Sequence, residues 1–248
     1  MKKGEGMPAS RRRFIRFGGV AAALALGGLP CALQAAAPGK LRIGVIGSGN
    51  VGGTIGTLWV KAGHEVMFSS LDIEHDRKLA SGIGSGARAG TPKEAAAFGE
   101  VLFFAVPYAA LPGLGRDLAA GIKGKIVLDA SNPIPRRDGD MANKALAKGT
   151  GVASPEFLPG ARIVRAYNEV GYVRMRDEAH RAGERLGIPL AGDDPQALKT
   201  AVRLVRDAGH DPVVVGGLAR AREFDYGTAV FGRPMTAAEL RKALRLEP

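Results

Sequence analysis

A doubly wound α/β fold on a mainly parallel sheet is the class this sequence predicts, and three observations predict it. Short β-rich apolar runs alternate with helical stretches from Leu41 onward. A glycine-rich turn joins the first such run to the first helix. Cap and stop residues stand at the joints between runs, as in Thr91-Pro92-Lys93-Glu94 and Ala62-Gly63. With 248 residues, 46% of them apolar, the chain is long enough for one good-sized core with a small appendage.

The elements follow in order. Leu41–Ile46 is a strand, and Gly47-Ser48-Gly49-Asn50-Val51-Gly52 comes directly after it, opening a helix that runs to Ala62. Gly63 stops that helix, and Glu65–Ser69 forms the second strand. A G-x-G-x-x-G set between strand and helix inside one βαβ unit is the dinucleotide-binding (Rossmann) arrangement. Gly47 serves the tight turn, Gly49 leaves room for a pyrophosphate against the backbone, and Gly52 lets helix and strand pack closely. The helix N-terminus offers free N–H groups and a partial positive charge to phosphate.

Further on, Thr91–Glu94 is a capping box that starts a helix through Phe98. Val101–Ala105 reads as a buried strand followed by Val106-Pro107 and a helix to about Ala120. Lys125–Asp129 and Arg162–Ala166 are further strands, and Ile188–Ala191 and Pro212–Val215 flank a helix over Gln196–Ala208. In an open α/β sheet the ligand crevice lies at the carboxyl ends of the strands. That gathers Ala105, Val106, Pro107, Asn132, Pro133 and Asn168 near the expected nicotinamide position. The first three are expected at the cofactor; Asn132, Pro133 and Asn168 are expected at the substrate. Residues 171–185 and 217–248 are charged and poorly patterned, and are expected to cover the crevice or form an interface.

The nucleotide is chosen where the second strand ends. An acid there binds the 2′-hydroxyl of NAD and repels the 2′-phosphate of NADP. Ser69 and Ser70 occupy that end, so NADP is favoured and NAD is the lesser alternative. Asp72 lies beyond the strand and is placed as the N-cap of a helix over Ile73–Ala80. Arg77 and Lys78 are available to a 2′-phosphate.

The first 37 residues form a leader. Ser10-Arg11-Arg12-Arg13-Phe14-Ile15 matches the twin-arginine export pattern, Phe17–Leu29 is a weakly apolar run, and Ala35-Ala36-Ala37 is a small-residue cleavage site. Thirteen helical residues reach about 20 Å, short of the ~30 Å hydrocarbon core. The expected partner of this segment is the twin-arginine export machinery, and the expected location is periplasmic or extracellular. The leader carries six basic residues and one acid, so about half of the formal charge of +11 lies outside it. That remainder is dispersed, and no nucleic-acid partner is expected; a homodimer is compatible with the sequence. Cys31 lies in the leader, so the mature chain is expected to hold no thiol. His64 reads as structural; His75, His180 and His210 read as solvated, and no pair has metal-ligand spacing. The division is a signal peptide over 1–37, an NADP-binding Rossmann-type domain over 41–217, and a C-terminal tail over 218–248.

Six pieces occur together: Gly47–Gly52, Ala62-Gly63-His64-Glu65-Val66, Ala105-Val106-Pro107, Asp129-Ala130-Ser131-Asn132-Pro133, Ala166-Tyr167-Asn168 and Ala191-Gly192-Asp193-Asp194. In this order they resemble the NADP oxidoreductases that use coenzyme F-420, a deazaflavin. The N-terminal part is also similar to pyrroline-5-carboxylate reductases. The resemblance implies hydride transfer between nicotinamide and the deazaflavin, with F-420 as co-substrate. Where that family has Ser-Arg, this chain has Ser70-Leu71. No catalytic residue is assigned, because the transfer requires ring stacking rather than an acid–base group. Two alternatives stand beside this reading: a nucleotide-binding or electron-transfer subunit without turnover, and an imine or keto-acid reductase with Tyr108, Tyr167 or Asn168 as proton donor.

Overall fold

The computed structural model describes residues 39–246. The leader, with its twin-arginine block, apolar run, Cys31 and cleavage site, lies outside the described residues.

Among the described residues the sheet has eight strands: β1 (Arg42–Ile46), β2 (Glu65–Ser69), β3 (Ala87–Ala89), β4 (Val101–Phe104), β5 (Ile126–Asp129), β6 (Arg162–Arg165), β7 (Gly187–Gly192) and β8 (Asp211–Gly216). Their order is β3-β2-β1-β4-β5-β6-β7-β8. All pairings are parallel except β6 with β7. The order reverses between β1 and β4, which makes their carboxyl ends the topological switch point where such sheets open a crevice. The central strands β1, β4 and β5 are short runs, mostly apolar and mostly buried on both faces, as a helix-covered parallel sheet requires.

Helix α1 (Asn50–Lys61) follows the glycine turn, and α2 (Ile73–Ile83) follows β2. Helix α3 (Pro92–Phe98) begins at the Thr91–Glu94 capping box, with both reciprocal bonds present. One face of the sheet is covered by α1 and helix Pro195–Asp207. There Trp59 packs edge-on against Phe103, with ring centroids 5.1 Å apart, and against Tyr167 at 6.2 Å. The buried indole donates to the Leu204 carbonyl at 2.8 Å, so the two helices are joined by a bond as well as by packing. The other face holds Leu102, Phe104, Tyr108, Leu111 and Ile122.

Residues 134–157, given no element from the sequence, form helices Pro135–Asp138, Asp140–Lys148 and Thr150–Phe157. The C-terminal segment is packed, not trailing. Phe224, Val230, Leu240 and Leu244 bury themselves against Ala191, Val213 and Val215 of β7 and β8. His64 is structural, as its position suggested. Its Nδ1 accepts from the Leu41 N–H at 3.1 Å and its Nε2 meets Asp207 at 2.9 Å. His210, expected at the surface, is instead fully buried and bonded to the Met175 carbonyl at 2.8 Å. The reason is Tyr167, whose ring packs 5.8 Å from it.

Candidate functional site: a dinucleotide groove at the switch point

The site is built from the turn after β1. Gly47 adopts φ +96°, a left-handed conformation that a side chain would strain, and a Cβ there would press on the Ala105 carbonyl. The Gly47 and Ser48 N–H groups both donate to the Ser69 carbonyl, at 2.9 and 3.0 Å, which ties the turn to the end of β2. Gly52 has no room for a side chain, since a Cβ would overlap the Gly47 carbonyl. Gly49 is the opposite case: a Cβ built there meets nothing within 4 Å. Packing therefore explains Gly47 and Gly52, while at Gly49 the backbone borders open space.

That space is a cavity of about 560 Å3 at the ends of β1 and β4. Gly47 and Gly49 form one wall, Ala105, Val106 and Pro107 the other, Ser70, Leu71 and Asp72 close one end, and Ala110 and Leu114 add apolar surface. A glycine turn at a helix start, facing an apolar wall across the switch point, fits a nicotinamide dinucleotide. The backbone at Gly49 and the start of α1 would hold the pyrophosphate, the Ser70–Asp72 end the adenosine ribose, and the Ala105–Pro107 wall the nicotinamide half.

Of the residues expected at the cofactor, Gly47, Gly49, Ser70, Ala105, Val106 and Pro107 line this cavity. Asn50 and Val51 are the first residues of α1, beside it. Ser48 and Ser69 serve it from behind. The Ser69 hydroxyl is buried and donates to the Val45 carbonyl at 2.7 Å. The Ser48 hydroxyl is buried and donates to Asp76. Asp72 is the N-cap of α2, accepting from the Glu74 and His75 N–H groups at 3.1 and 3.0 Å. Arg77 pairs with Glu74 on the exposed side of α2.

The residues expected at the substrate are gathered at the ends of β5 and β6, outside the cavity walls. Asn132 Nδ2 donates to the Asn168 carbonyl at 2.6 Å, and Asn168 Nδ2 donates to the Phe224 carbonyl at 3.3 Å. Beneath them lies a buried ion cluster. Arg165, with no exposed surface, donates to Asp129 at 2.7 Å and to the Ser131 carbonyl at 2.8 Å, and its second nitrogen lies 3.5 Å from Asp225. Burial opposes the guanidinium charge, but the two carboxylates outweigh it and hold its pKa above the ordinary value. Asp225 in turn accepts from the Thr150 N–H at 2.9 Å. This cluster fixes the loop carrying Asn132 and Pro133. Next to it Glu169 is buried with no partner outside its own residue for either carboxyl oxygen, and burial pushes its pKa up to about 8. Neither tyrosine offered as a proton donor faces the groove. Tyr108 is buried against Ser154 with its hydroxyl pushed up to about 12, and Tyr167 is buried with its own hydroxyl raised well above the ordinary value by burial.

Asp76 carries no mark in the sequence, where it is one of several charges between Glu74 and Lys78. Its carboxylate is fully buried and takes the Ser48 hydroxyl on one oxygen and the Ser70 hydroxyl, at 2.9 Å, on the other. Its place four residues after the Asp72 cap, on the α2 face toward the glycine turn, is the one available signal.

Fold and groove together are those of a Rossmann-type α/β domain with a groove at its switch point. Residues 42–133 match the family described as NADP oxidoreductase, coenzyme F420-dependent. The chain is 28% identical over 190 residues to the metalloreductase STEAP3 of Rattus norvegicus, a match covering 74% of this chain and 36% of that protein; the chain thus spans about a third of this curated relative. Among solved structures, a hypothetical protein from Sinorhizobium meliloti superposes with a TM-score of 0.69 at 21% identity, covering 80% of this chain and 96% of that one. A protein from Arthrobacter sp. FB24, provisionally described as an F420-dependent NADP-reductase, gives 0.66 at 23%, covering 79% and 99%. Both likenesses concern the fold.

Proposed function

We propose that the chain is an exported reductase that passes hydride between a nicotinamide dinucleotide and a deazaflavin-type acceptor such as coenzyme F-420. The observation that carries this reading is the open space at Gly49, which borders a cavity whose far wall is apolar. When bound, the dinucleotide supplies the hydride. The protein's own residues do the rest. The glycine turn orients the phosphates, and Ala105, Val106, Pro107, Ala110 and Leu114 exclude water from one side of the ring site. Bringing two rings to near-attack distance is the main requirement of such a transfer, and no acid–base residue is needed in the wall. The burial of Tyr108 and Tyr167 counts against the imine-reductase alternative.

A second reading, a flavin- or metal-directed acceptor, is favoured by the likeness to a metalloreductase. One assay separates these readings. The purified protein is given NADH or NADPH with a deazaflavin, a flavin or a ferric chelate, and nucleotide oxidation is followed. Oxidation with the deazaflavin alone supports the first reading, and oxidation with flavin or iron alone supports the second. Binding of NADPH without oxidation in any mixture leaves the nucleotide-binding subunit without turnover.

A further inference from the structure

The adenosine end of the cavity contains a hydrogen-bond arrangement that restricts which ribose it takes. Ser70 lines the cavity, and its hydroxyl has one proton to give. Two acceptors compete for it, Asp76 Oδ2 at 2.9 Å and the Asp72 carbonyl at 3.1 Å. The carboxylate is nearer and charged, and a charge-assisted bond is the stronger. The Asp72 N–H meanwhile donates into Ser70 Oγ at 3.1 Å. With its proton held by Asp76 and one lone pair occupied by Asp72, Ser70 Oγ faces the ligand as an acceptor. A ribose 2′-hydroxyl is a donor and satisfies it. A 2′-phosphate offers only acceptor oxygens at neutral pH and does not.

The charges point the same way. Among the described residues lining the cavity, the charged ones are Asp72 and Asp117, with no Lys, Arg or His. Arg77 is turned to Glu74, and Leu71 is fully exposed at the cavity end. The remaining group near Ser48, His75, donates from Nε2 to the Ser48 carbonyl at 3.3 Å. Behind Ser70, the buried Asp76 adds a further negative charge where a phosphate would need a cation.

We propose that Asp76 is the specificity-determining residue of the dinucleotide site: through Ser70 it sets the groove against a 2′-phosphate and in favour of the 2′-hydroxyl ribose of NAD(H). Asp76 touches no part of the ligand itself; it acts as a positioning residue by orienting the Ser48 and Ser70 hydroxyls. The inference rests on the groove being a nicotinamide dinucleotide site.

The test is equilibrium titration of the purified full chain with NADH and with NADPH, read by the fluorescence of the reduced nicotinamide. Wild type, Asp76→Asn and Ser70→Ala are compared. An amide at position 76 donates as well as accepts, which frees the Ser70 proton and removes the charge. The ratio of the NADPH to the NADH dissociation constant is expected to fall at least fivefold in Asp76→Asn, chiefly through tighter NADPH. Ser70→Ala, at a half-buried position that disturbs the fold little, removes the acceptor for the 2′-hydroxyl; the ratio falls there too, through weaker NADH. Damage to the fold would weaken both nucleotides together and leave the ratio in place. A ratio unchanged within twofold in Asp76→Asn, or a rise in either variant, overturns the role of Asp76. Failure of the wild type to bind either nucleotide overturns the dinucleotide reading, and this inference with it.

Discussion

Asn132 Nδ2 donates to the main-chain carbonyl of Asn168 at 2.6 Å, so the loop leaving β5 is tied to the loop leaving β6. The two asparagines stand where a substrate group would be sought, at adjacent strand ends, yet they bond to each other and to Phe224. Asn132→Ala strips a buried carbonyl of its donor, at a cost of about 1–2 kcal/mol. The expected result is a lower urea midpoint with dinucleotide affinity within twofold of wild type. An unchanged midpoint with strongly weakened binding would return Asn132 to the ligand site.

Gly49 and Gly52 lie three residues apart and are expected to fail differently. Gly49→Val places its side chain in open space, so the fold survives and dinucleotide binding falls by at least tenfold. Gly52→Ala forces a methyl group onto the Gly47 carbonyl and is expected to lower the melting temperature sharply. Thermal melts and nucleotide titrations on both variants check this pair. A Gly49→Val protein that binds NADPH normally would remove the pyrophosphate from the glycine turn.

Glu169 makes stability depend on pH. Its carboxyl titrates at about 8 in the folded protein against an ordinary value of 4.5, with burial as the leading cause. The folded state therefore binds one more proton than the unfolded chain between those two values. The stability associated with this group is complete below about pH 4.5, is lost as the pH rises toward 8, and changes no further above. Across that window the loss is on the order of a few kcal/mol. Glu169→Gln is expected to flatten the fall in urea midpoint between pH 5 and pH 8. A variant with the same slope as wild type would show that other groups carry the dependence.

Export is expected to depend on the paired arginines of the leader. Replacing Arg11-Arg12 by Lys-Lys should leave precursor in the cytoplasm. Fractionation followed by immunoblotting decides it, and mature protein outside the cytoplasm in normal amount would refute the assignment.

The glycine turn, the strands flanking it, the Thr91 box and the Asp72 cap were all legible in the sequence, because each rests on local chemistry within a few residues. Ala87–Ala89 was not. Three residues with no apolar alternation become a strand only by pairing with β2. The reversed direction of β7 was hidden for a similar reason, since strand orientation is decided by partners far along the chain. At the site, position was readable but facing was not. The cavity walls at Gly47, Ser70 and Ala105–Pro107 were visible beforehand, whereas Ser69, Asn132 and Asn168 have the right residue types at the right strand ends with their side chains already engaged. Asp76 was missed in the opposite sense, as a charged helix residue that burial alone distinguishes from Glu74 and Arg77.

The antiparallel joint between β6 and β7 has a consequence for how the molecule breathes. It pairs only Val164 with Gly192 and Arg165 with Ala191, whereas the β1–β2 ladder runs through five pairs. The last two strands are thus joined to β6 by a short hem, reinforced by the Arg162–Asp194 ion pair and the Trp59–Leu204 bond. A sheet opens first where its stitching is shortest. Amides of β7 and β8 should exchange with solvent sooner than those of β1 and β4, and added nucleotide should slow the latter more. The nucleotide platform would then keep its shape while the far edge of the sheet comes and goes.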